Sequence, residues 1–324
     1  MRIVSLEEHF VSPGFLAGPG KEFIEQIRGR GARGAQIYQQ LQDVGTQRIA
    51  NMDAAGVDVQ VLSLNSPGLE QAPPSEQLSL ATEANDFIAD AISKNPSRLA
   101  AMAVLPTATP EKAAHELQIR FGKSGFVGAV VNGHTRGRYL DDPFFSPILE
   151  AAESLRVPIY LHPTLPPKPV VEASYGGFTP AVSSVFATGG WGWHIETATH
   201  LIRMILGGVF DRFPKLQIVI GHLGEGIPFM LPRLTRNLPK EVTKLERTIA
   251  DYLRQNVHYT FGGFNFPATC QNLMQEVGIE RIMFSVDYPF GSMEEACTFL
   301  QSLPIGTSER ELIAHGNAKR LYGL

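Results

Sequence analysis

Short β-branched segments alternate with longer segments of helical period along the whole chain, and this pattern restricts the fold more than any other feature. The alternation is typical of a parallel sheet whose strands are joined by crossover helices. Parallel strands need such crossovers because a tight turn joins only antiparallel neighbours. The pattern predicts eight strands, over residues 3–6, 59–64, 99–105, 127–131, 158–161, 216–221, 257–260 and 282–286.

Two architectures can be built from these units, a closed barrel and a doubly wound open sheet. The open sheet normally begins with a glycine-rich phosphate-binding turn after its first strand. Here the first strand runs instead into Glu7-Glu8-His9. We therefore predict an α/β fold, a (β/α)8 TIM barrel, with residues 1–324 forming a single domain.

Two connections are much longer than the usual few residues: residues 10–40 after the first strand and residues 163–193 after the fifth. We expect both long loops at the catalytic face of the barrel. The second is rich in Gly and Pro and predicts an aromatic lid, with the rings of Phe178, Phe186, Trp191 and Trp193. For any single ring, packing against the barrel rim is the more frequent role.

Charge and composition exclude several classes of function. The net charge is −4 with both signs interspersed, so the chain lacks the positive field that holds nucleic acid or an anionic membrane. No apolar run reaches membrane-spanning length, and the N-terminus lacks a secretory signal pattern. Cys270 and Cys297 have no metal-type spacing and are expected to be reduced and buried. We expect a cytoplasmic enzyme with neither nucleic acid nor a membrane as a partner.

Polar side chains follow four predicted strands at the point where each strand ends. They are Glu7 and His9 after the first strand, His162 after the fifth, His222 and Glu225 after the sixth, and Asp287 after the eighth. Barrel strands deliver their carboxyl ends to one face, so these side chains are expected to converge. By the two-residue strand period, Glu7 and His9 share one side while Glu8 points away.

Each of these residues alone has a plainer interpretation, because a strand-end Asp often caps the next helix and a strand-end His often lies at the rim. Together they form the carboxylate and imidazole set that zinc and manganese take as ligands. Among the other histidines, His194 and His200 fit a supporting role at the site or a structural role equally well. The remaining histidines are weaker candidates: His115, His134, His258 and His315.

Several motifs carry a resemblance to a known family. They are Leu6-Glu7-Glu8-His9-Phe10, Leu62-Ser63-Leu64-Asn65, His162-Pro163, Glu196-Thr197-Ala198, Gly221-His222-Leu223-Gly224-Glu225-Gly226 and Ser285-Val286-Asp287-Tyr288-Pro289-Phe290. The chain resembles the amidohydrolase superfamily nearly end to end. Within it, the chain is similar to the γ-resorcylate, 2,3-dihydroxybenzoate and 5-carboxyvanillate decarboxylases of the aminocarboxymuconate-semialdehyde decarboxylase-like branch.

The resemblance also distinguishes decarboxylases from hydrolases. Hydrolytic members usually open with His-x-His and often carry a bridging lysine after the fourth strand. This chain opens with Glu-x-His, and its fourth strand ends at Asn132. These departures favour the decarboxylase branch.

The resemblance implies that one divalent metal ion, Zn²⁺ or Mn²⁺, is bound by Glu7, His9, His162 and Asp287. It also implies a catalytic dyad of His222 and Glu225 beside the ion. We hypothesise that His222 removes the phenolic proton of the substrate and that Asp287 protonates the ring carbon bearing the carboxylate. Expected substrate-binding residues are Arg233, Phe290 and Trp191, although Arg233 fits a surface helix position equally well.

The predicted function is metal-dependent, non-oxidative decarboxylation of ortho-hydroxybenzoic acids of the resorcylate or dihydroxybenzoate type in aromatic compound catabolism. The products are CO₂ and a phenol, and the reverse path would carboxylate a phenol. We expect a small aromatic hydroxy acid as the substrate and a homodimer or homotetramer as the assembly. Two alternatives stay open: a metal-dependent hydrolase or hydratase of the same superfamily, and a binding protein without turnover.

Overall fold

Parallel strands form a barrel in the computed structural model, which describes residues 1–123 and 125–324. In that part of the chain eight strands follow one another in sheet order, each parallel to the next. They are β1 (Val4–Phe10), β2 (Val59–Leu64), β3 (Leu99–Val104), β4 (Phe126–Asn132), β5 (Ile159–His162), β6 (Ile218–Ile220), β7 (Val257–Thr260) and β8 (Ile282–Met283). Leu6 pairs in parallel with Ser285, just beyond β8, which brings the first and last strands together. The predicted (β/α)8 TIM barrel is confirmed.

Helices follow every strand. After β1 come α1 (Pro13–Ala17), α2 (Lys21–Arg28), α3 (Gly31–Gln42) and α4 (Thr46–Ala55), and after β2, β3 and β4 come α5 (Pro74–Lys94), α6 (Pro110–Arg120) and α7 (Ser146–Leu155). After β5 come α8 (Lys168–Ser174), α9 (Pro180–Ala187), α10 (Gly192–Leu206) and α11 (Val209–Arg212). After β6 come α12 (Ile227–Asn237), α13 (Lys240–Thr243) and α14 (Ile249–Gln255), and β7 is followed by α15 (Pro267–Val277). After β8 come α16 (Met293–Ser302), α17 (Thr307–Glu311) and α18 (Asn317–Tyr322). Several begin with Pro, whose fixed φ and missing N–H suit the first helical turn.

The strand period of two divides the apolar side chains between two cores. One buried cluster fills the barrel and includes Val4, Leu6, Val59, Val61, Ala100, Met102, Val130, Tyr160, Val219 and Met283. Helix α18 adds Ala318 and Tyr322 to this cluster. Alternate strand residues such as Leu62 and Ala101 belong to the larger core that also contains the helix side chains. The strands are therefore buried on both faces, and the polar residues at their carboxyl ends are available for a site.

Two strand ends differ from the prediction by three residues or more where the site lies. Strand β1 continues to Phe10, and its register with β2 shifts between Ser5 and Glu8. Strand β8 ends at Met283, three residues before the predicted end. The reason is that Phe284 N donates to Ile313 O, while the peptide nitrogens of Val286 and Tyr288 donate to the Glu8 carboxylate. The Glu8 carboxylate thus supplies acceptors to peptide N–H groups just beyond β8.

The two long connections are more regular than expected, because they fold largely into helices. The first contains α1, α2 and α3, and α2 is held in place by its buried Ile24 and Ile27. The second contains α8 and α9, and the Thr179 side chain caps α9 by accepting from Val182 N. Within the described residues, no helix combines the length and the apolar character that crossing a membrane requires. Both cysteines are free, but only Cys270 is buried, so the expectation of a buried Cys297 was wrong.

Candidate active site

The predicted metal ligands meet at the carboxyl ends of the strands. His9 Nε2 lies 3.0 Å from Asp287 Oδ1. One ligand atom from each of His9, His162 and Asp287 lies within 4.8 Å of the other two. Glu7 is outside that triple, but its Oε1 lies 3.7 Å from His162 Nε2. Three of the four residues thus form a compact cluster, with Glu7 adjacent to it.

The Glu7 carboxylate provides a test of whether these residues fit a cation. Its Oε2 accepts hydrogen bonds from the hydroxyls of Tyr160 and Thr260. Its Oε1 is buried and has no hydrogen-bond partner among the described residues. Burial raises the pKa of Glu7, because a charge without solvent around it is costly. A divalent ion at the unpartnered oxygen would stabilise the carboxylate, so the donor set fits a metal site.

The imidazole rings are oriented as metal-binding histidines usually are. Nδ1 of His162 lies 3.0 Å from Asn132 Oδ1, which leaves Nε2 for a ligand. Nδ1 of His9 lies 3.3 Å from Ser63 Oγ. Burial holds the pKa of His162 well below its ordinary value, and His9 and His222 lower it further. His162 is therefore neutral, which is the form that binds a metal ion.

His222 and Glu225 form a buried pair next to this cluster. Nδ1 of His222 lies 2.8 Å from Glu225 Oε1, and its Nε2 lies 3.7 Å from Glu7 Oε1. Burial alone would lower the pKa of His222, but the charges of Glu225 and Glu7 outweigh it and raise the pKa to about 10. In the same way, His222 and His194 outweigh burial and lower the pKa of Glu225. Both shifts favour a charged His222 beside a charged Glu225.

Unusual backbone conformations mark the site. Left-handed φ angles occur at Glu7 (65°), His222 (52°), Glu225 (56°) and Asp287 (63°). Residues other than Gly seldom adopt this region, and strained backbone of this kind clusters at functional sites. A Cβ on Gly221 would lie 2.6 Å from Glu7 Oε1, and one on Gly262 would lie 2.5 Å from the His222 nitrogen. These two glycines allow the backbone to approach Glu7 and His222 closely.

A cavity of about 380 Å³ opens over the cluster. Its polar lining includes His9, His222 and Asp287, and its aromatic lining consists of Phe23, Trp193 and Phe290. This volume is within the range of small-molecule sites. A larger depression of about 840 Å³ lies between α3, α4 and α16, but no predicted metal ligand is among the described residues lining it. The chemistry therefore points to the smaller cavity.

The comparisons with known proteins agree with this geometry. A family model described as amidohydrolase matches residues 46–324. The chain belongs to the amidohydrolase family. A γ-resorcylate decarboxylase of a Polaromonas species is 34% identical over 341 residues, covering 99% of this chain and 98% of that relative.

Solved structures of other amidohydrolases are similar over the full chain. A 2,6-dihydroxybenzoate decarboxylase complexed with 2,6-dihydroxybenzoate has a TM-score of 0.90 and 33% identity, with 100% of both chains covered. The 5-carboxyvanillate decarboxylase of Novosphingobium aromaticivorans, with bound manganese, has a TM-score of 0.91 and 30% identity. In that comparison 100% of this chain and 97% of the other are covered. The resemblance to the decarboxylase branch is confirmed.

Of the three expected substrate-binding residues of this amidohydrolase, Phe290 is among the residues that line the cavity, whereas Trp191 and Arg233 are not. Phe290 lines the cavity, and its ring lies edge-on to His9 with centroids 5.9 Å apart. Trp191 is 52% exposed where α10 begins, and the cavity is lined by Trp193 instead. Arg233 is exposed on α12. Substrate contacts by Trp191 and Arg233 stay predictions.

Several residues of this amidohydrolase site were not assigned from the sequence. Tyr160 and Thr260 donate hydrogen bonds to Glu7, and Asn132 contacts His162, both of which are predicted ligands. Arg30 lines the cavity. A signal was present for Tyr160, because it precedes His162 by two residues and shares its side of β5. Arg30 belongs to a run with Arg28 and Arg33 that suggests anion binding but is more often a solvated loop tip, so no role was assigned to it from the sequence. Of the two undecided histidines, His194 contacts Glu225, whereas the His200 ring accepts a hydrogen bond from Leu140 N.

Proposed function

We propose that this amidohydrolase is a non-oxidative, metal-dependent decarboxylase of ortho-hydroxybenzoic acids of the resorcylate or dihydroxybenzoate type. One observation carries the proposal: the four predicted ligands and the His222–Glu225 dyad lie together at an aromatic-lined cavity. The full-length similarity to decarboxylases of γ-resorcylate and 2,6-dihydroxybenzoate supports it. The products are CO₂ and a phenol.

The residues that would hold one divalent ion are Glu7, His9, His162 and Asp287. When bound, the ion would stabilise negative charge on the substrate carboxylate and phenolate, and would offset the Glu7 charge that raises the pKa of His222. Zinc and manganese both accept this set of nitrogen and oxygen ligands. The manganese bound to the 5-carboxyvanillate decarboxylase supports manganese for this chain.

His222 is the proposed base for the phenolic proton. Glu225 accepts from Nδ1, which leaves Nε2 as the ring nitrogen that accepts the proton. The carboxylate also fixes the orientation of the ring, so that the acceptor lone pair has a defined direction. His222 lines the cavity, where a substrate hydroxyl would lie.

Asp287 is the proposed proton donor to the ring carbon that carries the carboxylate. Its side chain lines the cavity and is 21% exposed, so it is accessible to substrate. Protonation of this carbon draws electrons from the phenolate and interrupts aromaticity. Cleavage of the carbon–carboxylate bond then returns an electron pair to the ring and releases CO₂. The net change replaces CO₂ by one proton, and the reverse sequence carboxylates a phenol.

The aromatic lining favours a flat ring as the substrate. Phe23, Trp193 and Phe290 offer faces and edges for stacking, which contributes about 0.5–1.5 kcal/mol for an aromatic pair. Arg30 adds a cation to the same lining. We propose further contacts from Trp191 and Arg233, with Arg233 reaching a neighbouring subunit of a homodimer or homotetramer.

We propose that residues 1–324 act as one domain, because the barrel uses strands from β1 to β8 along the entire chain. We place the enzyme in the cytoplasm, in the catabolism of aromatic compounds. Two free cysteines are consistent with a reducing compartment.

The test is CO₂ release, with matching loss of substrate absorbance, from a panel of ortho-hydroxybenzoates. The enzyme is assayed after loading with Mn²⁺ or Zn²⁺ and after treatment with a chelator. We expect release from the loaded enzyme alone, and none from a matched 3-hydroxybenzoate that lacks the ortho hydroxyl. If a verified metal-loaded sample releases no CO₂ from any member, the hydrolase or hydratase alternative replaces this proposal.

A further inference from the structure

The carboxylate of Glu225 lies between two imidazole rings. Its Oε1 is 2.8 Å from Nδ1 of His222, and its Oε2 is 2.6 Å from Nδ1 of His194. The Glu225 side chain is fully buried, so each oxygen depends on a protein donor. The dyad accounts for Oε1, whereas Oε2 depends on His194. The orientation of the carboxylate is thus set by both rings.

The second nitrogen of His194 has a different partner. Its Nε2 lies 3.1 Å from the carbonyl oxygen of Gly189, in the turn between α9 and α10. A carboxylate and a carbonyl accept hydrogen bonds only, so these contacts match a His194 ring that donates from both nitrogens. Gly189 and Gly190 themselves line the cavity. One ring therefore connects the dyad to the turn that forms part of the cavity wall.

Aromatic contacts fix the plane of this ring. The His194 ring packs against His222 with centroids 4.7 Å apart and against Phe264 with centroids 5.0 Å apart. Phe264 also packs against His222, at 5.2 Å. These three rings come from the connections after β5, β6 and β7, so their mutual packing holds three connections together.

We propose that His194 is a positioning residue with two separable functions: its Nδ1 orients Glu225, and its Nε2 fastens the Gly189 turn over the cavity. The first function acts on turnover through His222. The second acts on substrate retention, because the turn is part of the cavity wall. The kinetic consequences rest on the proposed decarboxylase function, whereas the contact with the lid does not.

Amide side chains separate the two functions. In Asn the amide nitrogen is as many bonds from Cβ as Nδ1 is in His, and in Gln it is as many bonds away as Nε2. His194→Asn therefore keeps a donor for Glu225 and loses the Gly189 contact. His194→Gln keeps a donor for Gly189 and loses the Glu225 contact. His194→Ala loses both.

The kinetic experiment compares kcat and KM of these variants with the substrate that the panel identifies. We expect His194→Gln to lower kcat about 10- to 100-fold with little change in KM, as for other residues that orient a catalytic group. We expect His194→Asn to retain kcat and to raise KM. His194→Ala should show both changes. Thr199→Ala is the matched control, since Thr199 is exposed on the same helix and bonds only within it among the described residues.

A second readout does not depend on activity. The sequence has two tryptophans, Trp191 and Trp193, and both lie beside His194 where α10 begins. Their fluorescence and its quenching by acrylamide report directly on the Gly189 turn. We expect stronger quenching in His194→Asn and His194→Ala than in His194→Gln, wild type and Thr199→Ala.

The outcomes are distinguishable. If the Asn and Gln variants change kcat and KM alike, with equal quenching, the two functions are not separable and the inference is overturned. If wild type is inactive on the whole panel, the proposed function fails. In that case the quenching experiment still decides the lid contact, and equal quenching in all variants overturns it. Circular dichroism of each variant excludes unfolding as the cause.

Discussion

The carboxylate of Glu8 holds the two peptide N–H groups on either side of Asp287. Val286 N donates to Oε1 at 3.0 Å, and Tyr288 N donates to Oε2 at 3.1 Å. Ser5 Oγ also donates to Oε1, at 2.5 Å. The chain has left β8 before Asp287, so these hydrogen bonds help to hold the residues on either side of Asp287 against β1. Strand β1 thus carries two predicted ligands, Glu7 and His9. Between them lies Glu8, which holds the backbone beside a third predicted ligand, Asp287.

We expect Glu8→Gln to loosen Asp287. An amide offers one acceptor oxygen, so one of the peptide N–H groups at Val286 or Tyr288 would face another donor. A buried donor without a partner costs about 1–3 kcal/mol, and we expect a loss of that size in the free energy of unfolding. The kcat should fall as well. Urea unfolding and steady-state kinetics measure the two effects.

The control for this substitution is Glu111→Gln, which makes the same change at an exposed position of α6. It should leave the free energy of unfolding within about 0.5 kcal/mol of wild type and should not change kcat. Equal stability and kcat for Glu8→Gln and Glu111→Gln would show that Glu8 does not support Asp287.

The sequence could predict the barrel and the convergence of His9, His162 and Asp287 because both depend on local patterns. The bounds of β2 and β7 agree with the predicted strands, whereas β1 extends past Glu7 and His9 and β8 ends at Met283, before Asp287 is reached. The support of His162 by Asn132 was not predictable in this way, since it requires that the two residues are opposite each other in β4 and β5. Register between strands depends on tertiary packing and is not encoded in the period of either strand.

Sequence-based prediction has the same limit at the aromatic lid, where tertiary packing decides which side chain faces the cavity. The sequence indicates aromatic residues after β5, but it does not indicate which of Trp191 and Trp193 faces the cavity. That choice depends on where α10 begins and on its rotation against the barrel. Helix boundaries are uncertain by one or two residues in any sequence-based prediction, which is enough to exchange these two side chains.

For His222→Asn we expect a large loss of rate with the metal content unchanged. The Asn amide can still donate to Glu225, but it lacks the nitrogen that accepts the phenolic proton. Loss of a general base typically costs about 10²–10⁴ in rate. The metal content of the purified variant, by elemental mass spectrometry, is measured beside kcat. Disappearance of the metal would mean that His222 is a ligand and that the division of roles is wrong.

For Asp287→Asn we expect decarboxylation to fall by about 10²–10⁴, because the amide keeps the shape of the side chain and supplies no acidic proton. Asp287 is also a predicted ligand, so kcat is measured at saturating metal with the metal content verified. Substrate binding by the loaded variant, followed by titration, serves as the control. Near-normal decarboxylation by this variant would remove Asp287 from the mechanism.

Glu70 lies behind Asn132, the residue whose side chain contacts His162. Its Oε1 accepts from Asn132 N at 2.8 Å, and its Oε2 has no partner within residues 1–123 and 125–324. Burial raises the pKa of this carboxyl from 4.5 to about 8. Between these values the folded chain keeps a proton that the unfolded chain has released.

The contribution of Glu70 to stability is therefore complete below about pH 4.5 and is lost as the pH rises through about 8. Glu70→Gln resembles the protonated acid and has no proton to lose, so its free energy of unfolding should decline less over this window. Urea unfolding at about pH 5 and pH 9 gives the change in the free energy of unfolding with pH for wild type and for the variant. At the higher pH we expect the variant to be the more stable protein. Parallel declines for the two proteins would mean that Glu70 is ionised in the folded state, with its charge compensated inside the barrel.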